Sequence, residues 1–344
     1  MTLDVARADT EPDAQRRQTE ILADRIARRS AILDRTGVLL PFAVILVLAV
    51  ILVPDFLSGA NIRSVLVNAS IIAVVGYGMT LAIAIRGLDL SVGAAAALGS
   101  VVTAGTINAL GPTLGVVAGL LIGVGVGVVN GLLVAYLRIP AFVATLATMG
   151  IARGVALLYS SGSRITVQSR GFRTLATGSV LGIPGPFLLA VVLCAVGYLL
   201  LERTRFGRHA CAVGGNPAAA REAGISERRL TVVVFSLSGL TAGIAGVLIT
   251  SQLGSVDATP IQGLELQAIA IAVLGGTSLA GGSGNLVGTF VGALLLAMIS
   301  ASLNLKNIPG YYQYLALGVL LLLALGLDSL RQGVRNRLLA GGLT

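Results

Sequence analysis

The chain has 344 residues, of which 55% are apolar and 11% are charged, and its mean hydropathy is +0.92. Soluble domains carry about 25% charged residues, so this composition excludes an ordinary soluble protein and predicts an all-α, polytopic bundle of transmembrane helices. The net charge of +9 is not a nucleic-acid signal, because aromatic residues are only 4% of the chain and do not alternate with the basic clusters.

The first 36 residues are predicted to form a cytoplasmic tail. Seven arginines lie among them without an apolar stretch, so the segment lacks the pattern of a signal peptide. A few loosely spaced isoleucines leave two alternatives for residues 14–36, a helix lying along the membrane surface or a solvated tail.

Candidate transmembrane spans follow in a regular series. A helix needs about 20 apolar residues to cross a bilayer, and about 10 stretches of the chain approach that length. They are residues 37–53, 64–85, 92–110, 115–136, 140–160, 185–201, 230–250, 264–282, 285–303 and 311–327. Glycine or proline interrupts several of them, so the eighth could be a broken or re-entrant helix.

The basic residues predict the orientation of these spans. With the N-terminus inside, 18 of the 24 lysines and arginines lie on the cytoplasmic side and five on the outer side, while Arg153 lies within a span. This is the positive-inside bias, and it places both termini in the cytoplasm. The predicted organisation is a tail at 1–36, a transmembrane domain at 37–328 with a cytoplasmic loop at 202–229, and a second tail at 329–344.

The cytoplasmic loop contains the local signals of a short helix. Asn216 fits the N-cap, Pro217 fits the first helical position, and Gly224 fits a left-handed stop after the alanine-rich residues between them. A helix of about two turns is unstable alone, so we expect it to pack against a partner protein. The alternative is an incidental helix in a basic loop.

A second short segment reads Gly-Leu-Asp-Leu-Ser-Val-Gly over residues 87–93. Asp89 or Ser91 could cap the helix that follows, and the two flanking glycines permit a tight or unwound backbone. Such breaks in a membrane protein line a cavity or are buried in protein, which favours a part of a transport path. The alternative is a charged turn in which Arg86 pairs with Asp89.

A glycine-rich segment runs from Glu265 to Gly284 and contains the run Gly275-Gly276-Thr277-Ser278. It lies between apolar stretches and lacks the strand, lysine and ribose-binding acid of a nucleotide site, so close helix packing is the better interpretation. Lys306 is the one lysine of the chain and does not follow a glycine, so the sequence contains no Walker A loop.

Polar residues inside the spans predict packing rather than catalysis. Arg153 could bond to neighbouring carbonyls or extend to the outer interface. Asn130 and Asn304 are interpreted as hydrogen-bonding contacts between helices. His209 is the one histidine and lies in the basic loop, so neither a histidine-based metal site nor serine-histidine chemistry is expected. Cys194 lies within an apolar span and Cys211 lies in the basic loop, so a disulfide between them is not expected.

These segments together resemble the membrane permeases of ABC importers of the ribose/monosaccharide branch. The resemblance is carried by Gly207-Arg208 and the run from Gly214 to Ile225, by residues 87–93 and by residues 265–284; Asn61, Asn68 and the run 145–154 also fit. Many such permeases have a glutamate where this chain has Ala218, which leaves the polar contact to the ATPase unassigned.

The resemblance implies two groups of functional residues. The transport path or gate is expected at Asn68, Gly87, Asp89, Ser91, Gly93, Thr145, Thr148, Gly275, Gly276, Thr277 and Ser278. Coupling to an ATPase is expected at Gly207, Arg208, Gly214, Gly215, Asn216, Ala219, Ala220, Gly224 and Ile225, and Arg153 is expected to be structural.

The resemblance also implies the partners. A non-catalytic permease homodimer in a bacterial cytoplasmic (inner) membrane would flank one path, with a separate ATPase subunit carrying two nucleotide-binding domains below it. A soluble extracytoplasmic sugar-binding protein would deliver a pentose or hexose, and ATP and magnesium would be used by the ATPase, with no cofactor bound to this chain. The alternatives are import of branched-chain amino acids or nucleosides, an ion-coupled secondary transporter, and an accessory scaffold.

Overall fold

The computed structural model describes residues 38–258, 263–323 and Gly326. The described residues form 13 helices and four two-residue strands. The helices are α1 Leu39–Leu52, α2 Gly59–Ala84, α3 Val92–Leu110, α4 Pro112–Ala135, α5 Ala141–Ser160, α6 Arg170–Thr177, α7 Gly185–Arg203, α8 Arg205–Gly215, α9 Pro217–Glu222, α10 Glu227–Leu253, α11 Leu264–Leu274, α12 Leu286–Leu305 and α13 Tyr311–Leu323. The strands are β1 Ile165–Thr166, β2 Ser179–Val180, β3 Ile183–Pro184 and β4 Ser255–Val256.

Seven of these helices, α2, α3, α4, α5, α7, α10 and α12, are long and apolar enough to cross a membrane. Three shorter apolar helices, α1, α11 and α13, coincide with the first, eighth and tenth predicted spans. The predicted polytopic helical class is therefore confirmed, whereas a count of ten spans and the orientation of the termini stay predictions. The two predicted tails and the end of the tenth span lie outside the described residues.

The eighth predicted span is interrupted. Helix α11 ends at Leu274, and the remainder of the predicted span is an irregular connection in which Gly276, Gly281 and Gly282 have positive φ angles. The chain thus takes conformations there that glycine adopts at little cost. This agrees with the expectation that the eighth span could be broken.

Helix α2 lies at the centre of the bundle. Of an 18-residue apolar stretch in each helix, 83% is buried in α2, 28% in α4 and 22% in α7. The exposed apolar faces of α4 and α7 fit contact with lipid. Helices α3, α4, α7, α10, α11 and α12 contact one another or α2 around this centre. A smaller apolar cluster joins α1 to α2 and α12 through Ala49, Ala69 and Ala297.

Helices α4 and α10 pack through glycine. The buried face of α4 presents a glycine at every fourth residue, namely Gly115, Gly119, Gly123, Gly127 and Gly131. An added Cβ at Gly123 would lie against the carbonyl oxygen of Gly239 and 2.7 Å from the amide nitrogen of Gly243. The two backbones therefore touch directly, which is how helices associate where lipid supplies no hydrophobic drive.

Residues 161–184, between α5 and α7, are rich in serine, threonine and glycine, yet they form short strands and a helix. Strand β1 pairs with β4 in an antiparallel register, Ile165 opposite Val256. Helix α6 lies across the end of α10, where the Ser251 hydroxyl accepts from the amide of Ala176 (3.0 Å) and donates to the carbonyl of Phe172 (2.8 Å). This segment covers the end of α10.

Candidate functional site

The connection between α2 and α3 contains a buried carboxylate. Asp89 is 1% exposed and accepts three hydrogen bonds, from the amide of Ser91 (3.0 Å), the hydroxyl of Ser91 (2.6 Å) and the hydroxyl of Ser238 (2.7 Å). Burial raises the pKa of the Asp89 carboxyl, and the hydrogen bonds from Ser91 and Ser238 act in the opposite direction. The carboxylate is held by the hydroxyl of Ser91, at the N-cap of α3, and by the hydroxyl of Ser238, within α10.

Two further residues extend this arrangement to α4 and α5. The Asn130 amide donates to the Ser91 hydroxyl (2.7 Å) and accepts from the Thr148 hydroxyl (2.6 Å). Thr145 donates to the carbonyl of Leu88 (2.9 Å). We call Asp89, Ser91, Asn130, Thr148 and Ser238 the Asp89 cluster. Because buried polar groups are costly unless paired, the cluster fixes how α3, α4, α5 and α10 meet.

Two predictions about this connection are wrong. Arg86 does not pair with Asp89: its guanidinium donates to the carbonyls of Ala280 and Gly215. Ser91 occupies the N-cap position of α3 but makes no capping hydrogen bond with its side chain, and the Asp89 carboxylate binds the amide of Ser91 itself. The aspartate therefore shapes the turn that precedes α3.

Removing one donor of the cluster tests its contribution to stability. Replacing Ser238 with alanine is expected to lower the free energy of unfolding by about 2 kcal/mol, because a buried carboxylate oxygen loses its hydrogen bond. Ser236 is the matched control, since its hydroxyl donates to Val232 within the same helix (2.7 Å) and its replacement should cost less than about 0.5 kcal/mol. Thermal unfolding in detergent measures both, and equal shifts would contradict the assignment.

The glycine-rich segment is a tight crossing between α11 and α12. The side-chain oxygen of Asn285 caps α12 by accepting from the backbone amide of Gly288 (2.9 Å). The side-chain amide of Asn285 donates to the carbonyl of Gly275 (2.8 Å). Thr277 is 1% exposed and accepts from the amide of Asn285 (3.2 Å). The interpretation as close helix packing is confirmed by these contacts. Ser278 lies at the start of the turn that follows, where its carbonyl accepts from the amide of Gly281 (3.0 Å).

The predicted cytoplasmic loop, residues 202–229, contains two helices where one was predicted. Helix α8 begins directly after α7, with Thr204 as its N-cap, and Gly207 is buried at that elbow against the backbone of Leu201. Arg208 is exposed on α8. The helix signal of α8 is weaker than that of the next segment, because α8 contains three glycines.

The predicted short helix is α9. Asn216 accepts from the amides of Ala218 and Ala219 (both 3.1 Å), and Gly224 has a φ of 77°, so both predicted ends are confirmed. Ala219 is exposed, whereas Ala220 is 4% exposed and Ile225 packs against the core. Helix α9 therefore has one face on the protein and one face free among the described residues.

The loop and the glycine-rich segment meet. Gly214 contacts the carbonyl of Ala84 at the end of α2, and an added Cβ on Gly214 would lie 2.7 Å from the amide nitrogen of Gly282. Gly215 lies beside Gly282, which donates its amide hydrogen to Ala84 (2.9 Å). The fold thus brings together two of the sequence segments singled out above.

The structure places the remaining predicted residues elsewhere. Asn68 accepts from Gln252 (3.4 Å) and lies on α2 about 16 residues, or about 24 Å along the helix axis, before that helix ends at Ala84. Gly93 lies in the first turn of α3 and is buried. The Nε of Arg153 is buried and has no hydrogen-bond partner among the described residues, so the expected carbonyl contact is not seen for that atom.

A protein-family model of the permease component of branched-chain amino acid transport systems matches residues 61–325. The chain belongs to this family of membrane permeases. The match extends from α2 to the end of α13 and includes the Asp89 cluster, the loop and the glycine-rich segment.

Several relatives of this permease are named as sugar permeases. It is 40% identical to the ribose import permease protein of Bacillus subtilis over 300 residues, which are 86% of this chain and 93% of that protein. It is 38% identical to the ribose import permease protein of Escherichia coli K12 over 302 residues, 86% and 93% of the two chains. It is 37% identical to the L-arabinose permease of Azospirillum brasilense over 306 residues, 89% and 90% of the two chains. No solved structure matches.

Sequence reasoning missed the roles of three residues of the permease that make contacts between distant segments. Ser238 holds Asp89, Asn285 holds the α11–α12 crossing, and Arg86 joins the loop to the bundle. Asn285 followed by an apolar run is an N-cap signal that could have been found. Ser238 carried no local signal, since it is one of several hydroxyl residues of α10.

Proposed function

We propose that this permease is the membrane subunit of an ATP-driven importer for a monosaccharide, with a pentose as the cargo class. The observation that carries the proposal is the 37–40% identity to ribose and L-arabinose permeases over most of both chains. The family model is named after branched-chain amino acids, so the family alone leaves the cargo open. The similarity to sugar permeases favours a pentose over that alternative.

We infer that the partners are a separate ATPase subunit with two nucleotide-binding domains, a second copy of this permease and a soluble extracytoplasmic sugar-binding protein. The assembly is assigned to a bacterial cytoplasmic membrane, and ATP and magnesium are used by the ATPase, while this chain binds no cofactor. The support for an ATPase contact is α9: Asn216 caps it, Ala220 anchors it, and Ala218, Ala219 and Arg221 are exposed.

The proposed mechanism follows from how the loop is attached. ATPase closure moves α8 and α9 as a unit, because only the single residue Asn216 separates them. Helix α8 contacts the end of α2 and the glycine-rich segment. Its motion therefore reaches the connection between α2 and α3, which contains Asp89, and also the crossing of α11 and α12. The Asp89 cluster then keeps α3, α4, α5 and α10 together as one body. A packed core has discrete arrangements, which suits a gate that switches between two states.

Cargo and energy source are tested in proteoliposomes containing the permease, the ATPase and the binding protein. We expect ATP-dependent uptake of ribose or L-arabinose, and no uptake of leucine or uridine above the background of empty vesicles. Leucine or uridine uptake would replace the sugar assignment. Uptake driven by a proton gradient without the ATPase would favour the secondary-transporter alternative, which needs a titratable group on its path.

The end of α9 provides a test of coupling. Gly224 has a φ of 77° and open space around it, so replacing it with valine strains only the backbone. We expect Gly224→Val to insert normally and to keep ATP hydrolysis, while uptake falls about tenfold because α9 is re-aimed. Ala223→Val is the control, since Ala223 is exposed and has a φ of −75°. Undiminished uptake in Gly224→Val would count against α9 as the coupling helix.

A further inference from the structure

Arg86 occupies a backbone position that ordinarily belongs to glycine. Helix α2 ends in a Schellman motif: the amide of Arg86 donates to Ile83 (2.8 Å) and the amide of Gly87 donates to Ala82 (2.8 Å). Arg86 is the left-handed residue of this motif, with a φ of 65°. Glycine takes that conformation without strain, whereas an arginine does not. The turn itself therefore gives no reason for an arginine here.

The side chain of Arg86 supplies the reason. Its Nε donates to the carbonyl of Ala280 (2.9 Å) and its Nη2 donates to the carbonyl of Gly215 (2.7 Å). Its stem packs on Gly281, where an added Cβ would meet the Cγ of Arg86. One guanidinium thus binds the last residue of α8 and the glycine-rich segment at the same time, using the forked geometry that a lysine lacks.

The electrostatics of the position favour a cation. Gly215 ends α8 and Ala84 ends α2, so two helix C-termini converge here with carbonyls that have no partner within their own helices. Each C-terminus carries partial negative charge. The amide of Gly282 satisfies Ala84 (2.9 Å), and Arg86 satisfies Gly215. The positive charge of Arg86 offsets the repulsion between the partial negative charges at the C-termini of α2 and α8.

The close approach of the segments depends on this junction. Gly214 and Gly215 of α8 lie against Gly281 and Gly282, backbone to backbone, so no side chain other than that of Arg86 bridges them among the described contacts. Arg86 is itself exposed, so it can be replaced without opening the core.

We propose that Arg86 is a positioning residue that transmits the movement of the cytoplasmic loop to α2 and to the glycine-rich segment. The proposal rests on the proposed function for what moves the loop, and it adds a residue outside both predicted groups. When α8 shifts, the guanidinium carries Ala280 and the α2 turn along with Gly215. Without that side chain, the loop still meets the ATPase but moves separately from the membrane helices.

Arg86→Gly is the deciding variant, because glycine is the better residue for the turn and removes only the side chain. In the complete importer with its ATPase and binding protein, we expect unchanged thermal stability, ATP hydrolysis within about twofold of wild type, and sugar transported per ATP reduced about tenfold. Arg86→Lys should retain an intermediate ratio, since one ammonium cannot hold both carbonyls as a fork does.

Arg138→Gly is the matched control. Arg138 also has a positive φ, 57°, is exposed, and follows the end of α4 in a loop predicted to face the cytoplasm. Its variant should transport normally. The proposal is overturned if Arg86→Gly and Arg138→Gly transport equal amounts of sugar per ATP. It is also overturned if Arg86→Gly loses stability and both activities fall in parallel, as a purely structural role requires.

Amide hydrogen exchange on the same complex separates this proposal from the proposed function. Loss of the Arg86 side chain should speed exchange in residues 276–284, where the Gly282 amide is bonded to Ala84, and Arg138→Gly should not. Equal exchange in the two variants would overturn the proposal whatever the cargo is. A wild-type complex without ATP-dependent sugar uptake would overturn the proposed function, and the exchange result would still decide the role of Arg86.

Discussion

Replacing Gly123 with alanine is expected to destabilise the permease by roughly 3 kcal/mol, although alanine is the better helix former. The added Cβ would lie 2.7 Å and 2.8 Å from the amide nitrogen and Cα of Gly243, and against the carbonyl of Gly239. All three are backbone atoms, so no side chain can move aside and α4 must separate from α10. A thermal unfolding series in detergent measures the loss.

Gly125 is the control for this experiment. It lies two residues further along α4, is exposed, and has no atom within 4 Å of an added Cβ. Gly125→Ala should therefore be neutral or stabilise the helix by up to about 1 kcal/mol, through helix propensity alone. The two substitutions are chemically identical, but only the one at Gly123 is predicted to destabilise the protein. Equal effects would contradict the glycine-mediated contact between α4 and α10.

Replacing Gly214 with alanine is expected to uncouple sugar uptake from ATP hydrolysis. The added Cβ would collide with the carbonyl of Ala84 and lie 2.7 Å from the amide nitrogen of Gly282, so α8 could not rest on the end of α2. We expect sugar uptake to fall at least about tenfold while the ATPase continues to hydrolyse ATP. Uptake and phosphate release measured on the same vesicles give the ratio directly.

Gly215→Ala is the adjacent control, because an added Cβ there lies 3.9 Å from the Cα of Gly282, an ordinary contact. Its carbonyl, which accepts from Arg86, is unchanged by the substitution. Uptake within about twofold of wild type is expected. If Gly214→Ala behaves like Gly215→Ala, the loop does not act through its contact with α2.

Local signals in the sequence were sufficient where the structure is local. Asn216, Pro217 and Gly224 define α9 through capping and a left-handed stop, and the structure has these ends. Long apolar runs predicted the helices that could span a membrane. The bounds predicted for the third span, 92–110, are those of α3. These features depend on residues a few positions apart, which is the range that propensity and periodicity describe.

Contacts between distant segments were not predictable in the same way. Ser238 and Asp89 are 149 residues apart, and Arg86 and Ala280 are 194 residues apart. A pairing of Arg86 with Asp89 looked reasonable because they are neighbours in sequence, but α2 ends in a turn that points them to different segments. The five glycines of α4 at every fourth residue were a readable signal for a helix contact, yet the partner helix was not encoded locally.

Dependence on a separate ATPase is the property of this gate on which the proposed function rests. It is tested by measuring sugar accumulation against a gradient in vesicles that hold the permease alone, the permease with an active ATPase, or the permease with an ATPase unable to hydrolyse ATP, all with binding protein supplied. We predict accumulation only with the active ATPase. Accumulation by the permease alone, or ATP hydrolysis by the permease alone, would contradict this dependence.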